Sequence, residues 1–231
     1  MKKLIVLVTI FISSSVYSQE VAMSHFAKPS DVILNIQAEE IPLNEIKSTE
    51  VQEIIDRMFD IAKGERTDPE ARSMVGLAAP QIGISKRIIL VDIGVDSERR
   101  DLGKLTAFIN PEIVWYSEEL VEGREGCFSV DERVAGIVQR SKSIKIKAYD
   151  RDGNIVLQEF SDFTARIFQH EIDHLQGIRF PDRIGEQGKL QWVKDAEYPE
   201  YRKNWQNWPH KCPWDVWQAM KLGETYESPV N

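Results

Sequence analysis

The sequence predicts an α+β fold: mixed or antiparallel sheets packed around a central helix that carries a His-Glu-x-x-His motif, followed by a Trp-rich C-terminal extension. Three observations lead there. An early stretch repeats apolar residues at helical spacing, a middle stretch strings extended segments around a hairpin turn, and a late stretch returns to helical spacing. A helix, a run of strands and then a helix argue against alternating βαβ units.

In chain order, the stretch from about Ser24 to Ile41 reads as a lead-in with short extended pieces, interrupted by Pro29 and closed by Pro42. Thr49 followed by Gln52 makes a capping-box start. Val51, Ile54, Ile55, Met58 and Ala62 then share one helical face, predicting a helix over residues 50–63 stopped at Gly64. Residues 64–73 are polar, contain Pro69 and read as a loop. Residues 87–93, apolar but for Arg87 and Asp92, predict a buried strand, and residues 105–110 and 113–117 two extended pieces broken at Pro111. Residues 143–149 alternate strictly, as a half-buried strand does; residues 150–154 are turn residues, and 155–160 form the return strand. Residues 164–176 carry Ile167, Phe168, Ile172 and Leu175 at helical spacing and end at Gly177, where a left-handed turn favours glycine.

The N-terminal residues 1–18 have the layout of an export signal: Lys2 and Lys3, an apolar run over residues 4–12, then a small-residue end at Ser18. That run is shorter than the ~20 residues of a permanent span, so no integral membrane segment is expected in the mature chain. The layout predicts export to the periplasm or cell envelope, with a cytoplasmic location as the alternative. Residues 19–185 then form one domain and residues 186–231 an extension. Five of the six tryptophans fall in that extension (Trp192, Trp205, Trp208, Trp214 and Trp217), and so many indoles need a surface to pack on. Acidic residues outnumber basic ones 37 to 29 and no basic block occurs, which argues against nucleic acid as a partner.

Chemistry concentrates in three clusters. His170 and His174 lie four residues apart, so a helix projects both imidazoles from one face, with Glu171 beside them to exchange a proton with water. Asp173 is placed to orient a neighbour. A catalytic metal site of this kind usually has three protein ligands, and spacing leaves the third open between carboxylates and Cys127. Cys127 could equally be a small buried hydrophobe or the disulfide partner of Cys212. The third cluster, residues 76–83, combines small residues that permit close backbone approach with the amide of Gln81; alone it reads as a tight loop before the strand.

In this order the clusters resemble the signature motifs of peptide deformylases: a Gly-rich stretch ending in Gln81, the Glu125-Gly126-Cys127-Phe128-Ser129 segment, and the His170-Glu171-x-x-His174 helix. The flanks Ala165-Arg166-Ile167-Phe168-Gln169 and Leu175-Gln176-Gly177 are similar as well, and the likeness covers about residues 24–185. The resemblance implies a metal-dependent hydrolase that removes the formyl group from N-formylmethionyl peptides and releases formate. Cys127, His170 and His174 would hold one divalent ion, Fe2+ by resemblance, with Zn2+, Ni2+ or Co2+ as substitutes. Glu171 would act as base and then acid, and the Gln81 amide and the Phe128 backbone N–H would stabilise the oxyanion. Val75, Ile167 and the stem of Arg166 would line the methionine pocket. Gly76 would pair its backbone with the substrate, and Glu125 and Gly126 complete the substrate-binding set. Two departures stand out: Met74 occupies the place of a family glycine, where it either crowds the pocket or turns away, and Phe128 replaces leucine with a bulkier side chain. The competing readings are a metallopeptidase with another exported substrate and a deformylase-like peptide-binding protein.

Overall fold

The computed structural model describes residues 26–67, 74–95, 103–131 and 133–227. The export-signal segment and residues 68–73 of the polar loop lie outside the described residues.

The first helix, α1 (Thr49–Thr67), starts one residue earlier than the expected capping box. Ser48 Oγ accepts the Val51 N–H at 3.3 Å, while the Gln52 side chain donates to the carbonyls of Ile46 and Arg151. Gly64 does not stop the helix: it keeps helical geometry instead of the left-handed turn that would end one.

Among the described residues eight strands follow: β1 (Gly76–Ala78), β2 (Ile88–Ile93), β3 (Lys104–Tyr116), β4 (Leu120–Glu125), β5 (Val134–Ser141), β6 (Ser143–Tyr149), β7 (Ile155–Ser161) and, later, β8 (Leu190–Trp192). They form a five-stranded sheet in the order β1-β2-β3-β6-β7 and a three-stranded sheet in the order β4-β5-β8. The pairings between these strands are antiparallel. The two pieces expected around Pro111 are a single strand, β3. The proline is tolerated because the register with β6 shifts between Ile109 and Glu112, where the ladder does not need its missing N–H. Asn110 adopts a left-handed φ of 49° at this bulge, and its side chain exchanges hydrogen bonds of 3.0 and 2.7 Å with the backbone of Ile41. The stretch before β2, which alone reads as a loop, forms β1 and a 3-10 turn, Ala79–Ile82.

Between β7 and β8 lie α2 (Asp162–Leu175) and α3 (Phe180–Ile184), and after β8 come α4 (Tyr198–Asn204) and α5 (Trp214–Leu222). Strand β2 divides the core. Ile88 and Leu90 face Val51, Ile55, Met58 and Ala62 of α1, while Ile89 and Val91 face Ala165, Ile167, Phe168 and Leu175 of α2. Phe168 of α2 meets Phe108 and Phe160 of the large sheet at ring-centre distances of 4.9 and 4.5 Å. The Trp-rich residues pack on the small sheet. Trp192, Cys212, Trp217 and Met220 join Val134 and Val138 on one face; Tyr201, with Trp205 and Trp208 beside it, joins Ala135 and Val193 in a separate cluster. Among the described residues, no helix is long and apolar enough to cross a membrane.

Candidate metal centre

Helix α2 presents His170 and His174 one turn apart, and the loop after β4 brings Cys127 to them. Cys127 Sγ lies 3.2 Å from His174 Nε2, and one donor atom from each of the three residues falls within 4.8 Å of the others. Cys127 and Cys212 are both free thiols, so the disulfide alternative is set aside. One sulfur and two imidazole nitrogens so close together suit a borderline divalent ion, and the groups behind them support the fit. Glu125 Oε2 lies 2.8 Å from His170 Nδ1, which leaves Nε2 as that ring's free donor atom. His174 is pushed well below its ordinary pKa by burial, with His170, Arg179 and Arg140 adding to the effect, so its ring is held neutral as a ligand requires. Burial works against charge on His170, but Cys127 and Glu125 lift its pKa well above the usual value; the pocket favours positive charge at that point.

Glu125 and Arg166, which the resemblance puts in the substrate-binding set, also meet one another behind the histidines. Glu125 is buried and accepts from Arg140 Nε and Nη2 at 3.0 and 2.9 Å and from Arg166 at 2.8 Å. Arg166 also donates to the carbonyls of Val121 and Val138. Although burial pushes Glu125 up, Arg140 and His170 hold it well below the usual carboxylate range. Arg140 reaches on to Asp173, which also accepts two hydrogen bonds from Arg183. A chain of alternating charges therefore runs behind the imidazoles. Arg140 and Arg183 carry no local pattern that marks them in the sequence, and Ser129 enters there only as the last residue of the Cys127 motif, with no role of its own.

Glu171 is buried between the two histidines in the chain. Its Oε2 finds no hydrogen-bond partner among the described residues, and burial raises its pKa to about 7. Gly76 makes room for it: a Cβ there would stand 2.3 Å from Glu171 Oε1 and 2.8 Å from Ile167 Cγ2. Gln81 is 3% exposed and its amide is oriented by its own turn. Oε1 accepts the Ala78 N–H at 2.8 Å, so Nε2 is aimed at Ser129 Oγ (3.3 Å) and Cys127 Sγ (3.5 Å). Val75 and Ile167 lie in one apolar cluster beside Gly76. Met74 turns the other way, into the α1 side of the core, so it does not crowd that cluster. The Phe128 ring stacks on Phe26 at 5.0 Å, also against the α1 side, and Gly126 is exposed.

A sequence model of the polypeptide deformylase family matches residues 23–190. A peptide deformylase of Macrococcus caseolyticus is 39% identical over 170 residues, a stretch that covers 71% of this chain and 90% of that one. A peptide deformylase 2 of Bacillus cereus is 37% identical over 182 residues, covering 76% and 96%. Among solved structures, the class I type b peptide deformylase of Acinetobacter baumannii with Met-Ala-Ser bound is similar, with a TM-score of 0.60 and 35% identity over 69% of this chain and 96% of that one. The peptide deformylase of Thermotoga maritima is similar too, with a TM-score of 0.57 and 34% identity over 69% and 96%.

Proposed function

Because the chain belongs to the polypeptide deformylase family, a family of hydrolases that act on formylmethionyl peptides, we propose that the pocket on α2 is where this chain removes the N-formyl group. The observation that carries the assignment is the meeting of Cys127, His170 and His174 beside a buried glutamate and an oriented glutamine amide.

Cys127, His170 and His174 hold one divalent ion in this reading. When bound, the ion supplies Lewis acidity and lowers the pKa of water toward ~7. Fe2+ is the ion the family likeness favours, and Zn2+, Ni2+ and Co2+ also suit a sulfur and nitrogen donor set; elemental analysis of protein isolated without added metal decides among them. Glu171 takes a proton from the attacking water as its oxygen bonds to the formyl carbon. The carbonyl oxygen becomes an oxyanion, and Gln81 Nε2 and the Phe128 N–H donate to it. Donors placed before the reaction are worth about 3–4 kcal/mol each, because no reorganisation is needed. The C–N bond then breaks, Glu171 passes its proton to the departing amine, and formate and a free N-terminus leave. Strand β1 is an edge strand, so the Gly76 backbone can pair with an extended peptide, with Val75, Ile167 and the Arg166 stem around the methionine side chain.

The test is formate release from formyl-Met-Ala-Ser by the metal-loaded chain and by Glu171→Ala. The wild type is expected to release formate and the variant to lose at least ~10²-fold. A metal-loaded wild type that releases none, or that instead cuts internal peptide bonds, overturns the assignment in favour of peptide binding or peptidase action. The leader-like residues 1–18 precede the matched stretch, and we read them as directing export on their layout alone. A fusion of that segment to a reporter active only in the periplasm should give signal, and silence would end the export reading.

A further inference from the structure

We infer that the C-terminal extension positions the metal-ligand loop, acting through Arg179, Trp217 and Tyr226. The inference rests on the assignment of Cys127, His170 and His174 as metal ligands, and concerns what keeps the thiol in place.

Cys127 begins a tight turn in which the Val130 N–H returns to the Cys127 carbonyl at 3.1 Å. Within it, Ser129 touches both halves of the chemistry: its N–H points at Cys127 Sγ (3.3 Å), and its Oγ receives Gln81 Nε2 (3.3 Å). Two groups from outside the loop hold this turn. Arg179 Nη1 donates to the Ser129 carbonyl at 3.1 Å and to the Pro29 carbonyl at 2.6 Å, and Nη2 donates to Asn35 Oδ1 at 2.8 Å. Tyr226 Oη donates to Asp131 Oδ2 at 2.7 Å. Arg179 is fully buried, and its guanidinium meets carbonyls and an amide rather than a carboxylate. Such a cation is costly to bury, so its surroundings must hold it firmly. The Trp217 ring does so, lying 4.4 Å from the guanidinium carbon. Trp217 is fixed in turn by its Nε1 donating to Asp182 at 3.0 Å, a carboxylate that Lys221 also reaches. Cys127 itself packs against the cluster of Trp192, Cys212, Trp217 and Met220. The extension therefore reaches the thiol through two hydrogen-bonded routes and one packed face.

Co2+ serves as the probe, because a cobalt–thiolate bond gives an absorption band that reports the sulfur directly. The wild type is loaded with Co2+, and the rate of its transfer to an excess of chelator is followed at that band. Arg179→Met is expected to transfer Co2+ roughly tenfold faster or more, and Arg179→Lys to restore part of the difference. Tyr226→Phe, which removes a single hydroxyl and leaves the core intact, should speed transfer several-fold. Trp208→Phe is the control: it loses a 2.7 Å bond to the Trp192 carbonyl within the same extension but does not touch the loop, and it should match the wild type. Transfer rates within twofold of wild type in both Arg179→Met and Tyr226→Phe overturn the inference, as does equally fast loss from Trp208→Phe. A wild-type chain that takes up no Co2+ overturns the ligand assignment itself, and this inference falls with it.

Discussion

Glu125 carries more of this site than its position in a short loop motif suggests. It neutralises Arg140 and Arg166 and holds Nδ1 of His170, so losing its charge leaves Arg166 with no carboxylate and Arg140 with Asp173 alone. Glu125→Gln is expected to weaken metal binding about 10–100-fold, measured by chelator competition. It should also cost about 3–5 kcal/mol in urea unfolding, because two buried guanidinium groups are left short of charge. Gly76→Ala tests the space beside the base: its Cβ would stand 2.3 Å from Glu171 Oε1, so the carboxylate must move. A displacement near 1 Å at a reacting group can cost ~10²-fold, which formate release would show with metal content unchanged. Gln81→Ala should lower kcat by about 10²–10³ with little change in KM, as expected for a donor used mainly in the transition state. The histidine pair and Glu171 are legible from helical period alone, since four residues return to the same face. Cys127 is not, because its distance to the imidazoles is set by the path of β4 and β5; it took the ordered likeness of three motifs to pick it. The buried partners of Glu125 are not legible either, since nothing local shows that Arg140 and Arg166 arrive from β5 and α2.

At the level of elements, regular periodicity was readable and interrupted periodicity was not. The hairpin of β6 and β7 and helix α2 stand close to where alternation and spacing put them. Strand β4 leaves no clear alternation because its first three residues are all exposed, and β5 leaves none because Gly136 breaks its apolar pattern. Gly136 is needed there, since a Cβ would meet Ile184 at 2.3 Å. The link between the ligand loop and the chain end makes a pH prediction. Burial pushes the Asp131 carboxyl up, but hydrogen bonds from Arg133 and Tyr226 hold its pKa below the ordinary value. A carboxylate depressed in the folded state stabilises it above the unfolded pKa of ~3.9, and that contribution is lost as pH falls through the folded value. Acid titration followed by tryptophan fluorescence should therefore show a transition below pH ~4. Asp131→Asn should remove the part of it that belongs to this contact, and an unchanged acid transition in that variant would contradict the assignment.

For the molecule as a whole, the α+β class followed from the order of helix, strands and helix, but the division into two sheets did not. Which strand pairs with which depends on contacts such as β5 with β8, separated by α2 and α3, and no local signal encodes that pairing. An ion held by groups from α2 and from the β4–β5 loop should stabilise all of these elements together. Free ion at 100 times its dissociation constant adds about 2.7 kcal/mol, which for a chain of this size raises Tm by ~5–10 °C. Thermal scans with and without a strong chelator check this, and equal midpoints would show that no ion is held. The contacts from Trp217 and Tyr226 also bear on timing. These residues are synthesised well after the ligand loop, yet they fasten that loop, made nearly a hundred residues before Tyr226, and an arginine that grips Pro29. Synthesis of the thiol and imidazoles and their fastening are thus separate events: on the ribosome those side chains are made first, and the clasp inferred above can close only once residues 217–226 have followed them out.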